Sequence, residues 1–312
     1  MRWIILALVG LLLAIVPWVG DDVIIQYGIN ALLVAVLAQS WNIIGGFAGY
    51  ASFGNSVFYG LGTYGTAIAM VKFGLPFWVG LVAGGVLGMV CALLLGLPIL
   101  RLRGHYFAIA TLGISVTMSA VVANLDIAGR NIGLILPLTR NDTLFYEAAL
   151  ILLAATTLAV IYISRSRFGM GLIAIREDED AAAVMGVNTT FYKIVALVLS
   201  ALFTAIAGGI HAYWITFIDP SSAFDLTLNV RMVIMTVFGG PGTVAGPLIG
   251  SFILSTIYEV LANSISTAAA LLFGVVIVVA VVFMPRGLLD IAAGVRRTGW
   301  SYLLHNVRLY RL

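Results

Sequence analysis

The chain has 312 residues, 62% hydrophobic and only 9% charged, with a formal net charge of +3 and a mean hydropathy of +1.12. So little charge excludes a soluble domain, which would expose large apolar patches and aggregate. The small net charge suggests no surface for nucleic acid, and a single cysteine, Cys91, rules out an intrachain disulfide.

Apolar runs at 3–19, 24–44, 53–71, 77–99, 105–124, 143–163, 191–214, 227–238, 246–263 and 267–284 predict an all-α, polytopic membrane protein with eight to ten transmembrane helices. The eighth run is too short to cross a ~30 Å core alone. The first has a basic start but no small-x-small cleavage site before Asp21, so it reads as an uncleaved helix. With the N-terminus inside, alternation places Arg2, Arg101, Arg103, Arg165, Arg167, Arg176, Lys193, Arg286, Arg296, Arg297, Arg308 and Arg311 in the cytoplasm. Only Lys72, Arg130 and Arg140 fall outside, with Arg231 left within a span. This bias predicts that both termini and the loop 164–193 are cytoplasmic. Residues 1–290 then form a transmembrane domain, and the basic, aromatic tail 291–312 lies against anionic lipid.

Two glycine-rich breaks punctuate the spans. Gly45, Gly46 and Gly49 follow the second, and Gly239, Gly240, Gly242 and Gly246 interrupt the eighth and ninth. Irregular backbone survives in a membrane only where it is buried in protein or lines a wet cavity, so these breaks are read equally as close helix packing or as flanks of a route. Small polar residues Asn42, Ser52, Asn55, Ser56, Thr63 and Thr66 are candidates to line that route, although serine and threonine also satisfy themselves on their own helix carbonyls.

The loop between the sixth and seventh spans carries four consecutive acids, Glu177, Asp178, Glu179 and Asp180, after Arg176. Charge in so apolar a chain must face water or a partner. The acids suit the first turn of a short helix. Ala181, Ala182 and Ala183 propagate it, Gly186 is placed to end it in a left-handed conformation, and Asn188 or Thr189 can cap the next span. The expected result is a small helix that docks on another protein.

The stretch from Ser164 to Lys193 resembles the cytoplasmic coupling region of the LivM-type permeases, membrane subunits of branched-chain amino acid ABC importers. The resemblance continues through 196–209, 238–247 and 283–288, and upstream through 42–54 and 102–112. It implies an importer in which this chain joins a second, LivH-like permease, two cytoplasmic ATPase subunits and an extracytoplasmic substrate-binding protein in the bacterial plasma membrane. The chain itself lacks a Gly-x-x-x-x-Gly-Lys-Ser/Thr phosphate loop, so it is expected to bind no cofactor, with ATP-Mg held by the partner subunits. Isolated His105 and His211 have no third ligand at metal spacing. The competing readings are a permease for urea or short-chain amides and, from another class, an ion-coupled secondary transporter. The latter generally needs an ionisable relay inside the membrane, and no Asp or Glu falls in the middle of a predicted span.

Overall fold

The computed structural model describes residues 13, 15–18, 20–139, 141–264, 274, 275, 278 and 287–291. The predicted spans at 3–19 and 267–284 lie largely outside the described residues, as do the 283–288 stretch and the basic tail, together with Arg2, Arg140 and Arg286.

Eleven α-helices have assigned bounds among the described residues. In chain order they are α1 (Asp22–Trp41), α2 (Asn55–Val71), α3 (Phe77–Ile99), α4 (Gly104–Ala123), α5 (Asp142–Arg165), α6 (Arg167–Glu177), α7 (Glu179–Val184), α8 (Thr189–Ile215), α9 (Pro220–Ala223), α10 (Leu226–Gly239) and α11 (Ala245–Ser264). A wider, π-type turn over Asn42–Phe47 prolongs α1. Seven stretches among the described residues are long and apolar enough to cross a membrane. The run at 53–71 is not one of them. It forms the 17-residue α2, roughly 25 Å long at the usual helical rise, and is buried on nearly every side.

α2 packs chiefly on α8 and α3, and these three form the centre of the bundle. Lipid tails are as apolar as leucine, so helix association here depends on close approach and interhelical hydrogen bonds rather than on the hydrophobic effect. Glycines supply the approach: a Cβ at Gly62 would lie 1.9 Å from the Ala205 carbonyl oxygen, one at Gly208 2.2 Å from that of Tyr59, and one at Gly84 2.6 Å from that of Gly62. Thr63 donates to the Gly208 carbonyl at 3.0 Å and Thr66 to that of Gly80 at 3.2 Å. α1 lies against α5 and α11, and α10 pairs with α11 where Gly239, Gly246 and Gly250 meet. α4 is the least embedded long helix, buried only along Phe107, Thr111, Ser115 and Val122.

The contacts divide the connections between two ends. At one end meet 45–54, 100–103, 164–188 and 240–244, where Gly46 touches Gly242 and Leu100 receives a hydrogen bond from Lys193. At the opposite end β1 (Leu134–Ile135) pairs antiparallel with β2 (Phe217–Ile218), and Phe77, Phe145 and Tyr213 cluster beside them. The described spans therefore alternate in direction.

Candidate coupling site

The segment from 164 to 193 folds as two helices rather than one. Ser166 opens α6 by accepting from the Gly169 amide at 3.1 Å. Asp178 breaks the helix in extended geometry and caps α7, accepting from Ala181 N at 2.9 Å. α7 ends as its sequence requires: Gly186 has φ +87°, its amide donates to Ala183 O and that of Val187 to Ala182 O, both at 3.0 Å, which is a Schellman closure. Asn188 then caps α8 through Phe191 N at 3.1 Å. Asp178→Ala is expected to cost α7 about 1 kcal/mol. Faster hydrogen exchange at the Ala181 amide than in the unsubstituted chain would report it.

The acidic run does not stand together in one first turn. Glu177 closes α6 and pairs with Arg176 at 2.9 Å, while Asp180 accepts from Arg103 through both oxygens at 2.9 and 3.0 Å. Both are exposed pairs and hold little energy. Glu179 turns inward. Glu177, Asp178 and Asp180 face water as expected, and Glu179 alone, with its side chain 13% exposed, corrects the expectation that all four do. Besides Asp180, α7 and its C-cap leave apolar side chains outward: Ala181, Ala183, Val184 and Met185, the last two 87% and 84% exposed. Ala182 is its buried foot.

Glu179 enters a polar knot that ties five elements. The Lys193 ammonium, on α8, donates to Glu179 Oε1 at 2.6 Å, to the Tyr50 hydroxyl at 3.0 Å and to the Leu100 carbonyl at 3.0 Å, so its three hydrogens are all used. The Tyr50 hydroxyl donates to the other Glu179 oxygen, which also lies 3.6 Å from Arg103 Nε. The Tyr50 ring stands edge-on to Phe107 of α4. Lys193 is the one charged side chain fully buried among the described residues. Burial alone would push the Glu179 carboxyl up, but the hydrogen bonds from Lys193 and Tyr50, with the charges of Lys193 and Arg103, together hold it below its ordinary value. Burial first, and then the bond to Glu179, push the Tyr50 phenol well above its own.

Arg176 makes a second attachment. Its guanidinium donates to the Gly46 carbonyl at 3.2 Å, and its side chain passes where Cβ atoms at Gly49 and Gly242 would be, 2.6 and 2.7 Å from it. The two glycine-rich breaks meet here. Asn42 clasps the second, donating to Thr243 O and accepting from Gly242 N, each at 2.8 Å. Gly45 makes room for the Trp41 indole, which reaches Ser52 O at 2.7 Å, Gly239 lies against Gly246, and Gly240 (φ +124°) ends α10.

The proposed route residues lie in the chain's own interior. Asn42, Ser52, Asn55, Ser56, Thr63 and Thr66 are all buried. Asn55 donates to Ser200 at 2.9 Å, and Asn229 accepts from Ser56 N at 2.7 Å and donates to Ser56 Oγ at 2.8 Å. A cavity of about 20 Å³, lined by Ser52, Gly54 and Thr111 among apolar neighbours, has room for about one water. Asn229, Ser200 and Tyr50 are participants that the sequence did not single out. Elsewhere, Arg231 sits over the Tyr258 ring at 5.0 Å, and His211 packs between Tyr59 and Trp214.

Membrane-length helices packed through glycines, with a two-helix segment hooked onto one end, define a multi-pass membrane protein. The chain belongs to the branched-chain amino acid transport system permease component family, which matches residues 23–282. It is 27% identical over 83% of its length to the high-affinity branched-chain amino acid transport permease LivM of Salmonella typhimurium, spanning 68% of that protein. To LivM of Escherichia coli it is 26% identical, over 91% of this chain and 74% of that one. The permease LivH of Salmonella typhimurium is 30% identical over 41% of this chain and 42% of its own. No solved structure matches.

Proposed function

We propose that this permease carries branched-chain or other hydrophobic amino acids in an ATP-driven importer, sharing the route with a LivH-like second permease and docking two ATPase subunits through α7. The carrying observation is the build of α7. It is capped at both ends and pinned by Glu179 and Ala182, yet it projects Val184 and Met185 away from the bundle at the end where the basic residues gather. Apolar side chains held out on a short rigid helix suit a hydrophobic cleft on a soluble partner.

That end carries Arg101, Arg103, Arg165, Arg167, Arg176 and Lys193, whereas Lys72 and Arg130 lie at the other, so the positive-inside bias supports a cytoplasmic α7. The opposite end, with β1, β2 and the exposed Ile132 and Leu138, is then the face for an extracytoplasmic binding protein. The packed interior supports a route along an outer face of the bundle, shared with the second permease, with the buried polar residues and glycine breaks as its scaffold. The described spans contain no buried Asp or Glu, so ion coupling gains no support.

Replacing Val184 and Met185 together by aspartate is expected to cost about 2 kcal/mol of docking, roughly a thirtyfold loss of ATPase subunits retained on purification. Glu177→Gln should change retention little. Undiminished retention in the double variant would sink the assignment of α7. Mass spectrometry of the small molecule copurified with the cognate binding protein checks the amino-acid cargo.

A further inference from the structure

A docking helix transmits movement only if its base is fixed to the helices that must move. α7 is six residues long, too short to be rigid alone, and its neighbour α6 reaches the bundle body through Arg176 on the side of the glycine breaks. The knot around Lys193 is the other tie, and it differs from an ordinary surface ion pair in three respects. The ammonium is 3% exposed as a residue and has all three donors engaged by acceptors from different elements: Glu179 of α7, Tyr50 behind the π-type turn and Leu100 at the end of α3. Lys193 itself begins the second turn of α8, the helix at the centre of the α2, α3 and α8 packing. Tyr50 presses edge-on against Phe107, one of the few residues by which α4 is embedded.

A displacement of α7 therefore has a stiff path to α8, to the turn that follows α1 and to the junction of α3 with α4. Chains of buried hydrogen bonds are costly to leave half-made, so these groups shift together or not at all. We propose that Lys193, Tyr50 and Glu179 form a coupling latch, with Lys193 and Tyr50 as positioning residues that keep the membrane helices in step with ATP use on the partner subunits. The inference rests on the docking role of α7 and goes beyond it, because docking can persist with the latch open.

The experiment uses the assembled complex reconstituted in lipid, with Cys91→Ser and one reporter, Ile132→Cys, on the exposed turn at the far end. Maleimide labelling is timed without nucleotide and in the ATP-vanadate state, beside the rate of ATP hydrolysis. With the latch intact the two states label at different rates. Lys193→Met is expected to lower the labelling contrast, per ATP hydrolysed by the assembled complex, at least about fivefold, the scale of a lost coupling between sites. Tyr50→Phe, which removes one hydroxyl and keeps the ring, should move this ratio in the same sense by less, and it serves where Lys193→Met fails to assemble. A contrast undiminished in the variants, or one that falls only in proportion to hydrolysis, overturns the latch. A complex of the unlatched variants' parent that retains no ATPase overturns the docking role itself.

Discussion

Gly62→Val is expected to cut accumulation of the folded permease in the membrane about tenfold. The added Cβ alone would sit 1.9 Å from the Ala205 carbonyl oxygen and 2.4 Å from its carbon, and these are backbone atoms of α8 that no rotamer change can move aside. Gly62 also supports α3, since its carbonyl lies 2.6 Å from where a Gly84 Cβ would stand, so the clash cannot be relieved by shifting α2 toward α3. Overpacking a filled core typically costs 1–3 kcal/mol and more when backbone must yield, against a total stability of about 5–15 kcal/mol. The control is Gly113→Val on α4, where nothing lies within 4 Å of the new Cβ. Size-exclusion profiles of detergent extracts should show Gly113→Val at the level of the parent and Gly62→Val reduced about tenfold, and equal profiles would refute the packing argument.

Lys193→Met should destabilise the chain by about 3–5 kcal/mol, since it leaves the Glu179 carboxylate, the Leu100 carbonyl and Tyr50 without their common donor. Most of that cost is the orphaned charge. Lys193→Met combined with Glu179→Gln should therefore recover a large part of it, and thermal unfolding of the purified subunit that ranks the double variant with or below the single would contradict this. The pair has a pH signature as well. Glu179 titrates below its ordinary value of 4.5 in the folded chain, so its contribution is fully present above that value and is lost as pH falls through the depressed one. Tyr50 and Arg103, the other groups facing the carboxylate together with Lys193 and Asp180, are both shifted upward. Unfolding temperature should accordingly drop more steeply below about pH 4.5 in the parent than in the double variant.

The end of α7 was readable from one chain because its signals act within four residues, Gly186 on Ala183 and Asn188 on Phe191, whereas the break and cap at Asp178 were hidden inside an acidic run that suits one first turn. Nor was the fate of Glu179 readable. A hydropathy argument sends charge to water, but Glu179 meets a lysine fourteen residues on and a tyrosine 129 residues back, and only the tertiary arrangement brings these together. The available clue was Lys193 itself, a cation placed just inside an apolar run that begins soon after an acidic one. The class and most span positions followed from hydropathy, whereas the interior place of α2 did not, since a helix sheathed by other helices and one sheathed by lipid are equally apolar. For the same reason Asn55 and Ser56 looked like lining and are found bonded to Ser200 and Asn229.

The Arg176 joint has an evolutionary consequence. The stem of Arg176 occupies the volume that a side chain on Gly49 would fill and its guanidinium that of one on Gly242, and Gly46 leaves no space beside Gly242 N, 2.5 Å from its would-be Cβ. Gly49 and Gly242 also carry φ of +75° and +73°, which few other residues adopt. Neither Gly49 nor Gly242 can drift while the arginine stays, and a shorter residue at 176 opens a hole without relaxing the backbone. The glycines at 49 and 242 are thus held twice, by the arginine and by their own positive φ, whereas Gly46 is held by Asn42, whose Oδ1 lies 1.9 Å from its would-be Cβ: random libraries should recover few viable alanines at 46, 49 or 242 even where residue 176 is smaller.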